Sequence, residues 1–156
     1  METAPGTVGR SAQPTQALRL LVKSGDLRAA LIYLNALTDY RFTAMYRFDK
    51  DTLVNRHFVD RQNPHLLQTD QISVPASYCV FIRDTAAAFR LADSFEDARV
   101  AAHPKKQLIR SYCGVPLTDE AGTMFGSVCH FDFEPRAVRE SDVELLESIA
   151  PLLHGS

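Results

Sequence analysis

With 156 residues, 46% of them apolar and 23% charged, the chain has the length and composition of one soluble globular domain. A formal net charge of −2, with no basic run longer than Lys105-Lys106, gives no electrostatic case for nucleic acid or an anionic membrane as a partner. The apolar stretches fall far short of the roughly 20 residues that cross a bilayer. Residues 1–16 lack the basic start and apolar segment of a secretory leader, so a cytoplasmic location is expected.

Residues 1–14 mix Pro, Gly, Ser, Thr and Gln without periodicity and read as a disordered tail outside a single domain at 15–156. A short helix over 15–24 ends at Gly25. Asp26 then caps a helix over 26–38 that carries Leu27, Ala30, Leu31, Leu34 and Leu37 along one face. Residues 40–48 and 53–59 are rich in β-branched and aromatic side chains on either side of Asp49-Lys50-Asp51, which reads as a hairpin. The polar segment 61–74 contains Asn63-Pro64 and no period, so it is a loop, of a length that often carries function. Residues 75–83 fit a strand or a helix by pattern alone. Residues 87–91 form a short strand, Ser94 caps a helical turn over 94–97, and 101–107 is a loop.

The three cysteines, Cys79, Cys113 and Cys129, each lie inside an apolar run and form no Cys-x-x-Cys pair. They read as small buried hydrophobes, not as a zinc site or a disulfide framework. His57, His65, His103, His130 and His154 are scattered among unlike segments without metal-ligand spacing, so neither a metal nor another cofactor is expected.

Residues 110–133 are the most informative stretch. Two apolar runs, 112–117 and 124–133, flank Thr118-Asp-Glu-Ala-Gly122, whose glycine can take the positive φ that closes a three- or four-residue hairpin loop. Glu134-Pro135-Arg136 stops the ladder because proline donates no N–H. Ser141, three residues before Glu144, offers a capping box for a last helix from 142 to about 153. The order of these elements resembles the end of a GAF domain, a sensory module of the GAF/PAS class. The resemblance is carried by Gly-Val-Pro-Leu at 114–117, Gly122, Gly-Ser-Val-Cys at 126–129, Asp132, Pro135-Arg136 and the helix start at 142–146. It implies an α+β fold with a central antiparallel sheet of five or six strands. N- and C-terminal helices would cover one face, and loops and short helices would form a cleft on the other. It also selects a helix from Ala76, behind Pro75, for the ambiguous segment.

Strand alternation nominates the cleft lining. With a four-residue loop, Tyr112, Ser127, Cys129 and Phe131 face the cleft while Cys113, Val115 and Val128 face the helices; a three-residue loop sets Cys113 opposite Cys129. Across the cleft stand Ser77, Tyr78, Cys79, Phe81 and Ile82 of the short helix, with Phe89 and Leu91. Most of these would serve equally well as core. Ser77 and the first N–H groups of that helix, flanked by Arg83 and Arg110, are the candidate contacts for an anion.

No phosphate-binding loop, nucleophile elbow or zinc-protease motif occurs. The free methionine sulfoxide reductases are a catalytic branch of GAF proteins with cysteine nucleophiles. Cys79 falls near one of that branch's cysteines, but residues 100–106 contain none, and Tyr112 and Phe131 stand where its acids are expected. Cys129-His130 looks like the attachment pair of bilin-binding GAF domains, yet lies in a strand run; the cyclic-nucleotide signature is absent. The resemblance thus implies a non-catalytic sensory domain that binds an unidentified small molecule and acts through a signalling protein in trans. The alternatives are a dimerising interaction module with a filled pocket, and a thiol-based redox sensor or reductase-like enzyme. Leu18, Leu21 and Val22, with Leu146, Ile149 and Leu153, exceed what one sheet face needs and imply a homodimer through the terminal helices. Pro151 should end the last helix near Ala150.

Overall fold

The computed structural model describes residues 14–153. Most of the expected tail, and His154, lie outside the described residues, while Pro14 already stands in the first helix. Among these residues there are four α-helices, α1 (14–23), α2 (Leu27–Ala36), α3 (Cys79–Thr85) and α4 (Glu140–Ile149). Six strands, β1 (Phe42–Asp49), β2 (Thr52–Asp60), β3 (Ile72–Ser73), β4 (Phe89–Leu91), β5 (Ser111–Thr118) and β6 (Met124–Asp132), build one antiparallel sheet in the order β3-β2-β1-β6-β5-β4.

Asp26 caps α2 as expected, its carboxylate accepting from the Ala29 N–H at 3.0 Å. The apolar stripe of α2 packs with Leu18 of α1 and Val143, Leu146 and Ile149 of α4 against Tyr40, Met45, Cys113, Val115 and Val128. Leu18, Leu146, Ile149 and Leu153 are fully buried there. Of the residues expected at a dimer seam, these four lie in the chain's own core, while Leu21 and Val22 pack against it only partly buried. Pro151 does end α4, which passes into a single 3₁₀ turn over Ala150–Leu152.

A polar thread crosses this core. Asn35 Nδ2 donates to Thr43 Oγ1 at 2.8 Å, which leaves the Thr43 hydroxyl to donate to His130 Nδ1 at 2.7 Å. Arg61 caps the end of α2, donating to the Asn35 and Thr38 carbonyls at 2.6 and 2.9 Å. His130 stacks on Tyr40 at 5.6 Å, and its Nε2 has no hydrogen-bond partner among the described residues. Burial pushes this imidazole's pKa down to about 3, so it is neutral in the fold.

The 118–122 hairpin solves its register in an unexpected way. Asp119 N–H bonds the Thr123 carbonyl at 2.9 Å around Glu120, Ala121 and Gly122, a three-residue loop with Gly122 at φ +85°. Carried down an even ladder, that loop would set Cys113 opposite Cys129. A bulge at Phe125 intervenes: Thr118 pairs with Met124 but Leu117 with Gly126. The extra residue restores the phase of the four-residue alternative. Cys113 thus faces His130 across the ladder and Gly114 faces Cys129.

Three expected helix starts move. Arg139, not Ser141, is the N-cap of α4, and the Asp142 carboxylate accepts the Arg139 N–H at 3.2 Å; Ser141 is exposed in the first turn. Asp93, not Ser94, caps the turn Ser94–Glu96, because a carboxylate reaches the Phe95 N–H at 3.0 Å while the buried Ser94 hydroxyl donates to the Lys106 carbonyl. Pro75 sits in a 3₁₀ turn, Val74–Ala76, and Ser77 is extended, so α3 begins only at Cys79. Among the described residues no helix is long and apolar enough to cross a membrane, and no group of three or more His, Cys, Asp or Glu is placed to hold a metal.

Candidate functional site

The sheet face away from α1, α2 and α4 carries its own aromatic core and a cleft of about 310 Å3. Its floor comes from alternate residues of four strands: Phe42 and Tyr46 on β1, Phe58 on β2, Tyr112 on β5, and Cys129 and Phe131 on β6. Three irregular segments, Ile72 of β3 and Phe133 supply the walls: Thr69 and Asp70 before β3, Ser77 and Tyr78 before α3, and Lys105, Leu108 and Ile109 before β5.

Hydrogen bonds pin these walls. β2 bulges at Arg56, and the buried Asn55 next to it donates to the His57 carbonyl at 3.0 Å while its Oδ1 accepts the Thr69 N–H at 3.0 Å. Tyr78 Oη donates to the Ile109 carbonyl at 2.8 Å. His103 Nδ1 accepts the Lys105 N–H at 3.0 Å, which leaves Nε2 to donate to the Ser77 carbonyl at 3.1 Å. Partial burial lowers the His103 pKa, in keeping with a neutral ring in that role.

Of the residues nominated from sequence, Ser77, Tyr78, Tyr112, Cys129 and Phe131 line the cleft. Cys79, Phe81, Ile82, Phe89, Leu91 and Ser127 belong to the layer packed beside it. For Cys79, Phe81 and Ile82 the late start of α3 is the cause, since that helix packs over β5 and β6 instead of opening onto the cleft. Phe81 stacks on Phe89 at 4.5 Å, and the Arg99 guanidinium covers Phe89 from outside at 4.6 Å. Neither nominated arginine reaches the cleft as a free cation: Arg83 pairs with Asp51 at 2.8 Å, and Arg110 pairs with Asp93 at 2.7 Å over the Phe95 ring. Ser77 is a capping group, its hydroxyl accepting the Cys79 N–H at 3.1 Å. Sequence reasoning misses Phe42, Tyr46 and Phe58, although the period-two alternation of 42–46 carries the same signal that finds Tyr112 and Phe131.

Beside the cleft floor lies a thiol cluster. Cys79 Sγ sits 3.3 Å from both Tyr112 Oη and Ser127 Oγ. Hydrogen bonds from the Cys129 thiol first, then from Ser127, Ser77 and Tyr112, outweigh burial and bring the Cys79 pKa down to about 6, while burial drives Cys129 well up. Only glycine fits at 114: a Cβ there would stand 2.7 Å from Tyr112 Oη and 2.9 Å from Cys129 Cβ and Ile82 Cδ1.

The polar rim is sparse. Arg41 lies over Phe42 and Phe133 at 4.8 and 5.2 Å, but its guanidinium is held bidentate by Asp60 at 2.9 and 3.1 Å. Lys105 and Asp70 are the charged residues that line the cleft. An apolar cleft with a few placed polar groups is suited to holding a small molecule.

Similarity to known proteins agrees with this geometry. The GAF domain of a phosphoenolpyruvate-protein phosphotransferase from Acinetobacter superposes with a TM-score of 0.73 at 10% identity, covering 94% of this chain and 91% of that one. The free methionine-R-sulfoxide reductase of Neisseria meningitidis, solved with its substrate, superposes with a TM-score of 0.69 at 17% identity over 90% of this chain and 86% of its own. At these identities the likeness is one of fold. A cyclic di-GMP phosphodiesterase of Pseudomonas aeruginosa is 37% identical over 81 residues, which is 49% of this chain and 14% of that protein. The GAF domain profile matches residues 15–154, nearly the whole described chain, and the chain belongs to the GAF domain family.

Proposed function

We propose that this domain is a non-catalytic sensor: a small molecule enters the loop-walled cleft and its binding is read by a signalling partner in the cytoplasm. The observation that carries this reading is the cleft itself. A space of about 310 Å3 remains beside a fully packed aromatic layer, and its walls are loop segments held by individual hydrogen bonds. A ligand that bridges those walls favours one loop arrangement over another, which is the only way binding can shift a conformational equilibrium. Membership of the GAF family and the sensory roles found in it support the reading. Native mass spectrometry of protein purified from cells tests it. A discrete small-molecule adduct, lost on denaturation, is expected; apo protein that also binds nothing from a metabolite extract would count against it.

One observation favours a second reading. Cys79, with its lowered pKa, lies against Cys129 beneath the cleft, an arrangement suited to thiol chemistry. Here peroxide would oxidise one thiol to a sulfenic acid, releasing water, and the second thiol would displace a further water to give a disulfide. Intact mass after peroxide treatment decides it: a loss of two hydrogens confined to the 79 and 129 peptides supports the redox reading, and an unchanged mass removes it.

A further inference from the structure

Resting on the sensor reading, we infer that the cleft takes a small aromatic zwitterion of the α-amino-acid class, with its ring on the aromatic floor, its carboxylate at Lys105 and its ammonium at Asp70. The size comes first. A cavity of about 150 Å3 holds one benzene, so one of about 310 Å3 holds roughly a dozen heavy atoms. That is the size of phenylalanine or tyrosine.

The floor selects the body of the ligand. Phe42 and Phe131 stack at 4.9 Å, Phe42 and Phe58 at 5.6 Å, and Tyr78 meets Tyr112 edge-on at 5.7 Å. Ring faces and edges of this kind favour a further ring in offset or edge-to-face contact.

The rim selects the charges. The arginines near the cleft are taken, Arg41 by Asp60 and Arg110 by Asp93. Lys105 is the cation left among the lining residues, half-buried in the segment that also supplies Leu108 and Ile109. Asp70 is the lining carboxylate, and it comes from a different loop. Both line one cavity without forming an ion pair with each other, so each is open to a group of opposite charge on a ligand, and an α-amino acid carries both such groups on one carbon. Beside the apolar wall the half-buried Lys105 attracts a carboxylate more strongly than it would in open water, while the exposed Asp70 adds orientation.

Titration calorimetry on the full chain tests this with L-phenylalanine, L-tyrosine and L-tryptophan against 3-phenylpropionate, phenethylamine and L-alanine. At least one aromatic amino acid should bind with one-to-one stoichiometry, and the three analogues, which lack the ammonium, the carboxylate and the ring, should each bind about 10-fold more weakly or worse. Lys105→Met should erase the preference over phenethylamine, and Asp70→Asn the preference over 3-phenylpropionate. Both positions lie on the rim, so melting temperatures of the variants within error of the parent certify that they fold. Equal binding of phenylpropionate or phenethylamine would overturn the zwitterion and leave the sensor reading standing. The zwitterion also falls, with the sensor reading intact, if no aromatic probe binds while protein from cells carries a different molecule. Failure of every probe, with protein from cells carrying nothing, would overturn both.

Discussion

On the helix-covered face of the sheet, Leu18, Leu31, Leu34, Leu146 and Ile149 leave no accessible surface, whereas on the loop-covered face Phe131 and Phe133 remain partly open beside a cleft. Both faces are apolar and both derive from the same strands. They differ in what covers them. Long helices offer a regular row of side chains that interdigitates with the sheet, while segments that must satisfy each backbone group individually stand off and leave space. In this domain that space is the proposed ligand site.

The comparison is broken most directly by truncating one large side chain on each face. Leu34→Ala should cost about 2–5 kcal/mol, because a tightly packed site cannot collapse around the cavity. Phe131→Ala, on the cleft floor, should cost about 1–2 kcal/mol despite the larger side chain, since part of its surface already faces the opening. Urea unfolding of the two variants gives the order. If Phe131→Ala is the more damaging, the cleft floor is as tightly packed a core as the helix face and the sensor reading weakens.

A second difference lies in how each face treats a histidine. On the helix face His130 is fully buried between Tyr40, Thr43 and Cys113, with Arg61 the nearby cation, and does not protonate until about pH 3. The unfolded chain takes up that proton near the ordinary value of about 6.5, so between these values the unfolded state binds more protons and stability falls as the pH is lowered. The loss from pH 7 to pH 5 is about 2 kcal/mol, and it is set mainly by the unfolded-state value. His57 and His103 are shifted in the same direction, so a drop in the urea midpoint alone does not assign the effect. NMR titration does: the His130 imidazole should hold its neutral shifts through pH 5, and an inflection near the ordinary value would refute the buried neutral ring.

The helix face and the general plan were legible because period and capping are local. The stripe of α2, the Asp26 cap, the first hairpin and the placing of Cys129 and Phe131 on one face follow from spacing alone, whereas Tyr112 joins that face only through a register that spacing left open. The cleft was legible only in part. Its walls are segments without a period, and what places Thr69 is the buried Asn55 of β2, a polar residue whose partner no spacing rule announces. The second hairpin is more instructive. Its loop length and its strand phase contradict each other unless a bulge is present, and Phe125 gives no sequence sign that it is the extra residue. Arg83 and Arg110 pointed to an anion site because their partners, Asp51 and Asp93, are 32 and 17 residues away.

A smaller effect sharpens the account of the helix layer. The start of α4 is held by Asp142, which accepts the Arg139 N–H and pairs with the Arg139 guanidinium at 3.1 Å while 2% exposed. Asp142→Ala should cost about 1 kcal/mol or somewhat more, and Ser141→Ala close to nothing, because Ser141 is already inside the helix and exposed. Melting temperatures of the pair check this, and a loss at Ser141 equal to that at Asp142 would return the cap to the serine.

The smallest expected effect changes no stability and uses the cysteines, which stand on both faces. Cys113 lies under the helix layer, where burial pushes its pKa up to about 12. Cys79 lies on the cleft side, where the thiol cluster brings its pKa down to about 6, and Cys129 lines the cleft directly. Reaction with iodoacetamide needs a thiolate and a path for the reagent. For Cys79 and Cys129 the path opens when the loop segments move, a local event of low free energy; for Cys113 the helices must lift from the sheet, which approaches global unfolding. Mass-resolved labelling of native protein should therefore modify the 79 and 129 peptides first and the 113 peptide last, all more slowly than free cysteine. A ligand that fills the cleft should slow the first two and leave the third unchanged. Labelling of Cys113 ahead of the others would mean that the helix layer, not the loop layer, is the part of this domain that opens.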